Sequence, residues 1–234
     1  IEFFNHPHNA LNPSLLNDLK SLIDSAAKEK KIHVIILKSG GDRTFCAGAS
    51  FDHMVDISDE NQGKLFFMGF ANVINALRKC PKIVIGCIQG KTVGGGVGLA
   101  SAVDICFASE FADIKLSELS IGIGPFVIEP AVRRKIGVSA MTQLTLKAQT
   151  FFSAKWAMEK GLYANVFESN NELLKNVESL ANELSTYNID SLTAFKRIQW
   201  EGTDDWDKLL ESRAILSGKM LLSPNAKSFL KKFI

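Results

Sequence analysis

Two short turns of glycine and alanine, each set directly after an apolar, strand-like run, constrain this chain more than any other feature. The first is Cys46-Ala47-Gly48-Ala49-Ser50 and the second is Gly94-Gly95-Gly96-Val97-Gly98-Leu99-Ala100; a lone glutamate, Glu118, follows downstream. Small residues at a strand end leave backbone N–H groups open to a ligand. Beside a helix N-terminus those groups also carry the positive end of the helix dipole. On its own, Gly94-Gly95-Gly96 reads equally well as a tight strand-to-helix connection. The other turn, ending at Ala49, favours the ligand reading. Two donors converging on one point would hold a carbonyl oxygen that is becoming negative, and losing one such donor typically costs roughly 3–4 kcal/mol of transition-state stabilisation.

The surrounding pattern alternates strand and helix. Asn12-Pro13 opens a helix with Asn as cap and Pro at its first position, and Leu15, Leu16, Leu19, Leu22 and Ile23 recur at helical spacing. Residues 32–37, 83–88 and 104–108 read as buried strands, and Ile1-Glu2-Phe3-Phe4 as a further one. A helix is expected over 59–78 and a short one over 97–102. After Gly124-Pro125 the character changes. Helices are expected over 129–136, 139–147, 153–160, 172–184, 189–200, 204–216 and 224–233, with one strand at Ala164-Asn165-Val166-Phe167. The pattern predicts an α/β core over residues 1–137 and a helical region over 138–234 acting as lid or oligomer contact, with Trp156, Trp200 and Trp206 as packing anchors.

Composition narrows the function classes. Hydrophobic residues make up 46% of 234, enough for a substantial core, and the net charge of +2 comes from interspersed acids and bases. No basic stripe points to nucleic acid. The apolar runs are too short to span a membrane. Cys46, Cys80, Cys87 and Cys106 show no C-x-x-C pairing and no accompanying His cluster, so they read as reduced, buried thiols, and no metal site is expected. A cytoplasmic location follows from that reading. The chain opens at Ile1 without Met, inside a strand-like run, which leaves open whether a targeting segment preceded it. Two nucleotide motifs fail. The run from Ile85 to Lys91-Thr92 has Ile where a phosphate-binding P-loop needs its first Gly, and G-x-G-x-x-G lacks its third Gly, with Leu99 or Ser101 in that place.

Phe45-Cys46-Ala47-Gly48-Ala49-Ser50, the glycine turn, the following Asp104 and Leu119-Ser120-Ile121-Gly122-Ile123-Gly124-Pro125 together resemble the signature of the crotonase, or enoyl-CoA hydratase/isomerase, superfamily. Phe152-Ser153-Ala154, Ala157 and Gly161-Leu162 resemble the family's helix beyond the core. The resemblance covers nearly the whole chain. It implies a spiral of β-β-α units with a helical C-terminal region, trimers or hexamers built from two trimers, and an acyl-CoA thioester as substrate. Coenzyme A would be part of that substrate, with no separate cofactor. The thioester carbonyl would sit between the N–H groups of Ala49 and Gly95. Ala47, Gly48, Gly94, Gly98 and Phe126 would line the substrate site, and Lys232 would meet the coenzyme A phosphates. That last assignment is weakened by Pro224-Asn225-Ala226-Lys227, which replaces the acidic-glycine motif that usually precedes it.

Hydratases of this family usually carry two glutamates, one where Gly98 stands here and one where Glu118 stands. This chain keeps the second and lacks the first. Holding a water for addition is well served by two carboxylates. Shifting a double bond needs one base that takes a proton and returns it to another carbon. The expected activity is therefore enoyl-CoA isomerase ahead of enoyl-CoA hydratase, in fatty-acid-type metabolism. Glu118 is the expected base, and Glu129, which reads first as an acid at a helix N-terminus, is a candidate second catalytic carboxylate. His53 reads as an exposed helix residue near the pocket mouth. The competing reading is a non-catalytic acyl-CoA-binding protein that kept the fold after losing a glutamate.

Overall fold

The computed structural model describes residues 1–233; Ile234, the last residue of the expected helical region, lies outside them. Strand β1 (Glu2–Phe3) precedes helix α1 (Pro13–Lys28), whose first turn is closed by the Asn12 side chain accepting from the Leu15 N–H. Next come β2 (Val34–Ser39), β3 (Thr44–Cys46), α2 (Phe51–Val55) and α3 (Glu60–Lys79), the last capped by Asp59. Then follow β4 (Ile83–Ile88), β5 (Lys91–Val93), α4 (Gly95–Ala102), β6 (Ile105–Ser109), β7 (Ile114–Lys115) and a 3-10 turn, Glu118–Ile121. The remainder holds α5 (Glu129–Leu146), α6 (Ala154–Glu159), β8 (Asn165–Phe167), α7 (Asn170–Ser185), α8 (Ile189–Gln199), α9 (Trp206–Leu221) and α10 (Pro224–Leu230).

The strands form two parallel sheets, a five-stranded one in the order β1-β2-β4-β6-β8 and a three-stranded one in the order β3-β5-β7. The chain visits them in alternation, β2 then β3, β4 then β5, β6 then β7, with helical structure after each pair. This is a spiral of β-β-α units. Strand β4 is buried along its whole length, because both faces of its sheet are covered. Ile83, Ile85 and Cys87 meet Leu173 and Val177 of α7, while Val84 and Ile88 face the main core.

Several elements differ from the sequence expectation. Strands β3, β5 and β7 lie where only turns and loops were expected, and helix α2 gives bounds to the helix that His53 was read to sit on. The expected helices 129–136 and 139–147 are both present, as the two arms of α5, separated by a kink at Gly137, whose φ is +74°. Helix α9 does not stop at 216 but runs on to Leu221, because Gly218 lets it approach α3. A Cβ on Gly218 would lie 2.7 Å from the Gly63 carbonyl carbon. The residues beyond 137 do not stand apart from the core, since β8 pairs with β6 and α9 packs on α3.

Asp104 ties the late helices to the early strands. Its Oδ2 accepts from the Val84 N–H at 2.8 Å and pairs with the Lys196 ammonium at 2.7 Å, and its Oδ1 accepts from Trp200 Nε1 at 3.0 Å. Lys196 is 3% exposed and also donates to the Lys82 carbonyl. Removing one partner of a buried ion pair strands the other charge. Asp104→Ala is expected to cost about 3–5 kcal/mol in urea unfolding; a loss below about 1 kcal/mol would show that the pair does not hold α8 to the sheet.

Candidate active site

The three-stranded sheet builds the site. Cys46 of β3, Thr92 of β5 and Ile114 of β7 are partners across the sheet. Parallel strands end on the same edge, so whatever follows each of them is delivered to one place. Ala49 and Gly95 each come three residues after that line, and Glu118 four residues after it.

Local main-chain bonds orient the first two. Leu11 forms a parallel bridge with Ala49, in which the Leu11 N–H donates to Gly48 O at 2.7 Å and the Ser50 N–H donates to Leu11 O at 3.0 Å. Peptide groups alternate in direction along an extended segment, so the Ala49 N–H turns away from Leu11. Gly95 is the first residue of α4, where an N–H has no acceptor within its own helix. The two turns touch. Gly48 has φ +88°, and a Cβ there would lie 3.0 Å from Val93 O and 3.6 Å from the Gly95 nitrogen. Gly94 has φ +53°, and a Cβ there would sit 2.7 Å from Glu118 Oε1. Glycine at 94 is therefore what lets the carboxylate lie against the second turn.

Ala47, Gly48, Ala49, Gly94, Gly95, Glu118 and Phe126 all line one cleft, which holds about 530 Å3 of space including its open mouth. Phe67 and Phe70 line it too, while Phe66 is buried off the wall. Among the described residues Glu118 is the one ionisable side chain on its wall. Three expected participants lie elsewhere. Gly98 is off the wall, and the space where its side chain would begin is filled by Ile128, whose Cγ2 would be 2.4 Å from a Cβ there. Glu129 is also off the wall: the chain turns into α5 so that Ile128 faces the cleft, and Glu129 Oε1 pairs with Arg133 Nε at 3.1 Å. Lys232 holds its ammonium 5.7 Å over the Phe229 ring, which packs edge-on against the cleft residue Phe51. His53 is exposed, with Nδ1 3.0 Å from Ser50 Oγ.

Among the wall residues that sequence reasoning did not assign are Phe51, Met54, Ile128 and Ser217. The first two sit on α2, whose bounds the sequence reading did not give, and Ser217 lies beyond the expected end of α9. The buried thiols carry no chemistry here; burial pushes Cys46 and Cys106 up to about 12. Among the described residues no group of His, Cys, Asp and Glu is placed to hold a metal, and no helix is long and apolar enough to cross a membrane.

Glu118 is half-buried as a residue, but its Oε2 is closed off from solvent and has no hydrogen-bond partner among the described residues. Burial disfavours the charged form and raises its pKa from 4.5 to about 7.

The sequence model of the enoyl-CoA hydratase/isomerase family matches residues 1–225. The chain belongs to this family. A probable enoyl-CoA hydratase of Bacillus subtilis (strain 168) is 25% identical over 98% of this chain and 89% of its own length. The human mitochondrial methylglutaconyl-CoA hydratase is 32% identical over 70% of this chain, a match that spans 48% of that protein. A peroxisomal Delta(3,5)-Delta(2,4)-dienoyl-CoA isomerase of Arabidopsis thaliana is 29% identical over 74% of this chain and 66% of its own. The crystal structure of an enoyl-CoA hydratase from Bacillus halodurans superposes with a TM-score of 0.87 at 22% identity, covering 95% of this chain and 90% of that one, and shows a shared crotonase fold.

The raised pKa has a consequence for stability. The folded state holds the Glu118 proton where the unfolded chain has released it, so stability falls as pH rises from about 4.5 towards 7. The full effect is at most about 3 kcal/mol above that window. Glu118→Gln carries no charge to bury. It is expected to be about 2–3 kcal/mol more stable than the parent at pH 8, with the gap closing by pH 4.5, as read by urea unfolding at both values. An equal difference at the two pH values would mean the carboxyl is hydrated.

Proposed function

We propose that this protein is an enoyl-CoA isomerase working with a single carboxylate. One observation carries the reading: Glu118 is alone among ionisable groups on the cleft wall, and the place for a second glutamate, at Gly98, is occupied by Ile128.

In this reading the thioester carbonyl oxygen of a 3-enoyl-CoA accepts hydrogen bonds from the Ala49 and Gly95 N–H groups. The deprotonated Glu118 takes a proton from C2. The electron pair spreads over the carbonyl and the double bond as a dienolate, its oxygen held by the two amides. Glu118 then returns the proton to C4, leaving the double bond between C2 and C3. No water is consumed, so no second carboxylate is needed to hold one. A pKa near 7 suits a group that must both take and give a proton near neutrality. That poise favours catalysis over an inert acyl-CoA-binding role.

The hydratase alternative is favoured by the names of the Bacillus subtilis and human relatives. Supplying 3-enoyl and 2-enoyl thioesters separately distinguishes the two. Conversion of 3-enoyl to 2-enoyl product is expected, with kcat/KM rising with pH to a plateau above about 7. Glu118→Gln should lower it at least about a hundredfold. A hydroxyacyl product from the 2-enoyl thioester would replace isomerase by hydratase. Binding without any exchange of the C2 proton would leave only the non-catalytic role.

A further inference from the structure

Proton transfer leaves one buried polar group of the cleft without a task. Ser217 lines the cleft, is 1% exposed, and its Oγ has no hydrogen-bond partner among the described residues. A serine within a helix commonly returns its hydroxyl to the carbonyl four residues back. Ser101 does this, with Oγ 2.7 Å from Val97 O. The buried Thr92, Ser109 and Thr203 hydroxyls also each reach a carbonyl. Ser217 has the same option within α9 and does not take it. The space its wall position opens onto is the cleft.

Its place along the cleft follows from α3. At one end, Phe70 lies directly against Gly95, where a Cβ would meet its Cε1 at 2.2 Å. At the other, Gly63 is crossed by Gly218, the neighbour of Ser217. Those two points are about 10 Å apart along the helix at 1.5 Å per residue. Phe67 lines the cleft between them. An acyl chain with its carbonyl on Ala49 and Gly95 and its tail along α3 therefore meets Ser217 in its outer half.

The chemistry of what Ser217 meets is also restricted. The cleft wall carries no Lys, Arg or His among the described residues, so nothing there neutralises a charged tail. A carboxylate in that position would be stranded. A neutral oxygen would satisfy the hydroxyl without adding charge. We propose that Ser217 hydrogen-bonds a hydroxyl or carbonyl oxygen on the outer half of the acyl chain, making oxygenated acyl thioesters the substrate class and Ser217 a specificity-determining residue. This rests on the thioester reading of the cleft given above.

The test is calorimetric titration with saturated, unreactive acyl-CoA thioesters of matched length. One is plain, and the others carry a hydroxyl on successive carbons of the outer half. The best hydroxylated chain is expected to bind the parent protein about tenfold more tightly than the plain chain. In Ser217→Ala that preference should vanish. The variant should melt no lower than the parent, because it removes only an unpaired hydroxyl. Equal affinity for all chains in the parent, as a resident water on Ser217 would produce, overturns the inference alone. A preference that survives in Ser217→Ala also overturns it. Failure of every acyl-CoA to bind overturns it together with the thioester reading.

Discussion

The alignment of three very short parallel strands governs everything else in the site. Strands β3, β5 and β7 come from well-separated parts of the chain, yet Cys46, Thr92 and Ile114 stand in one row. Because the strands are parallel, the peptide groups after each emerge together at the carboxyl edge of the sheet. That is where parallel sheets generally bind ligands. The positions of two main-chain donors and one carboxylate are thus set by ladder hydrogen bonds rather than by side-chain packing. The absence of side chains at Gly48 and Gly94 then lets the three segments close on each other.

The same enclosure that makes the site chemically useful also strains it energetically. Apolar walls lower the local dielectric, which strengthens the pull of two amides on a developing negative oxygen. They also make a lone carboxylate reluctant to ionise, and Glu118 is the group affected. Among the described residues two buried polar atoms in this cleft lack partners, Glu118 Oε2 and Ser217 Oγ. Leaving a buried polar atom unpaired is costly.

The larger architecture was legible because it depends on local patterns. The β-branched runs of the main sheet, the cap at Asn12 and the glycine turns all mark themselves in the residues. The small sheet was not legible, because strands of two or three residues are too short to display an alternation. They exist through pairing with neighbours distant in sequence. Gly98 revealed that a glutamate was missing but not that Ile128 takes up its room, since that contact joins two turns of the spiral. Glu129 had the right residue type and neighbourhood, and only the direction in which the chain enters α5 separates it from Ile128. At Ser217-Gly218 the pair resembled a helix end. Gly218 instead serves as the contact that lets α9 continue across α3.

That crossing also brings the last-made residue of the cleft wall into place. The two donor turns and the glutamate are complete once residue 118 has been made, but the wall at Ser217 arrives only near the end of the chain. Most of the enclosure is translated with the reactive groups, and the one wall residue on α9, Ser217, follows about a hundred residues after Glu118.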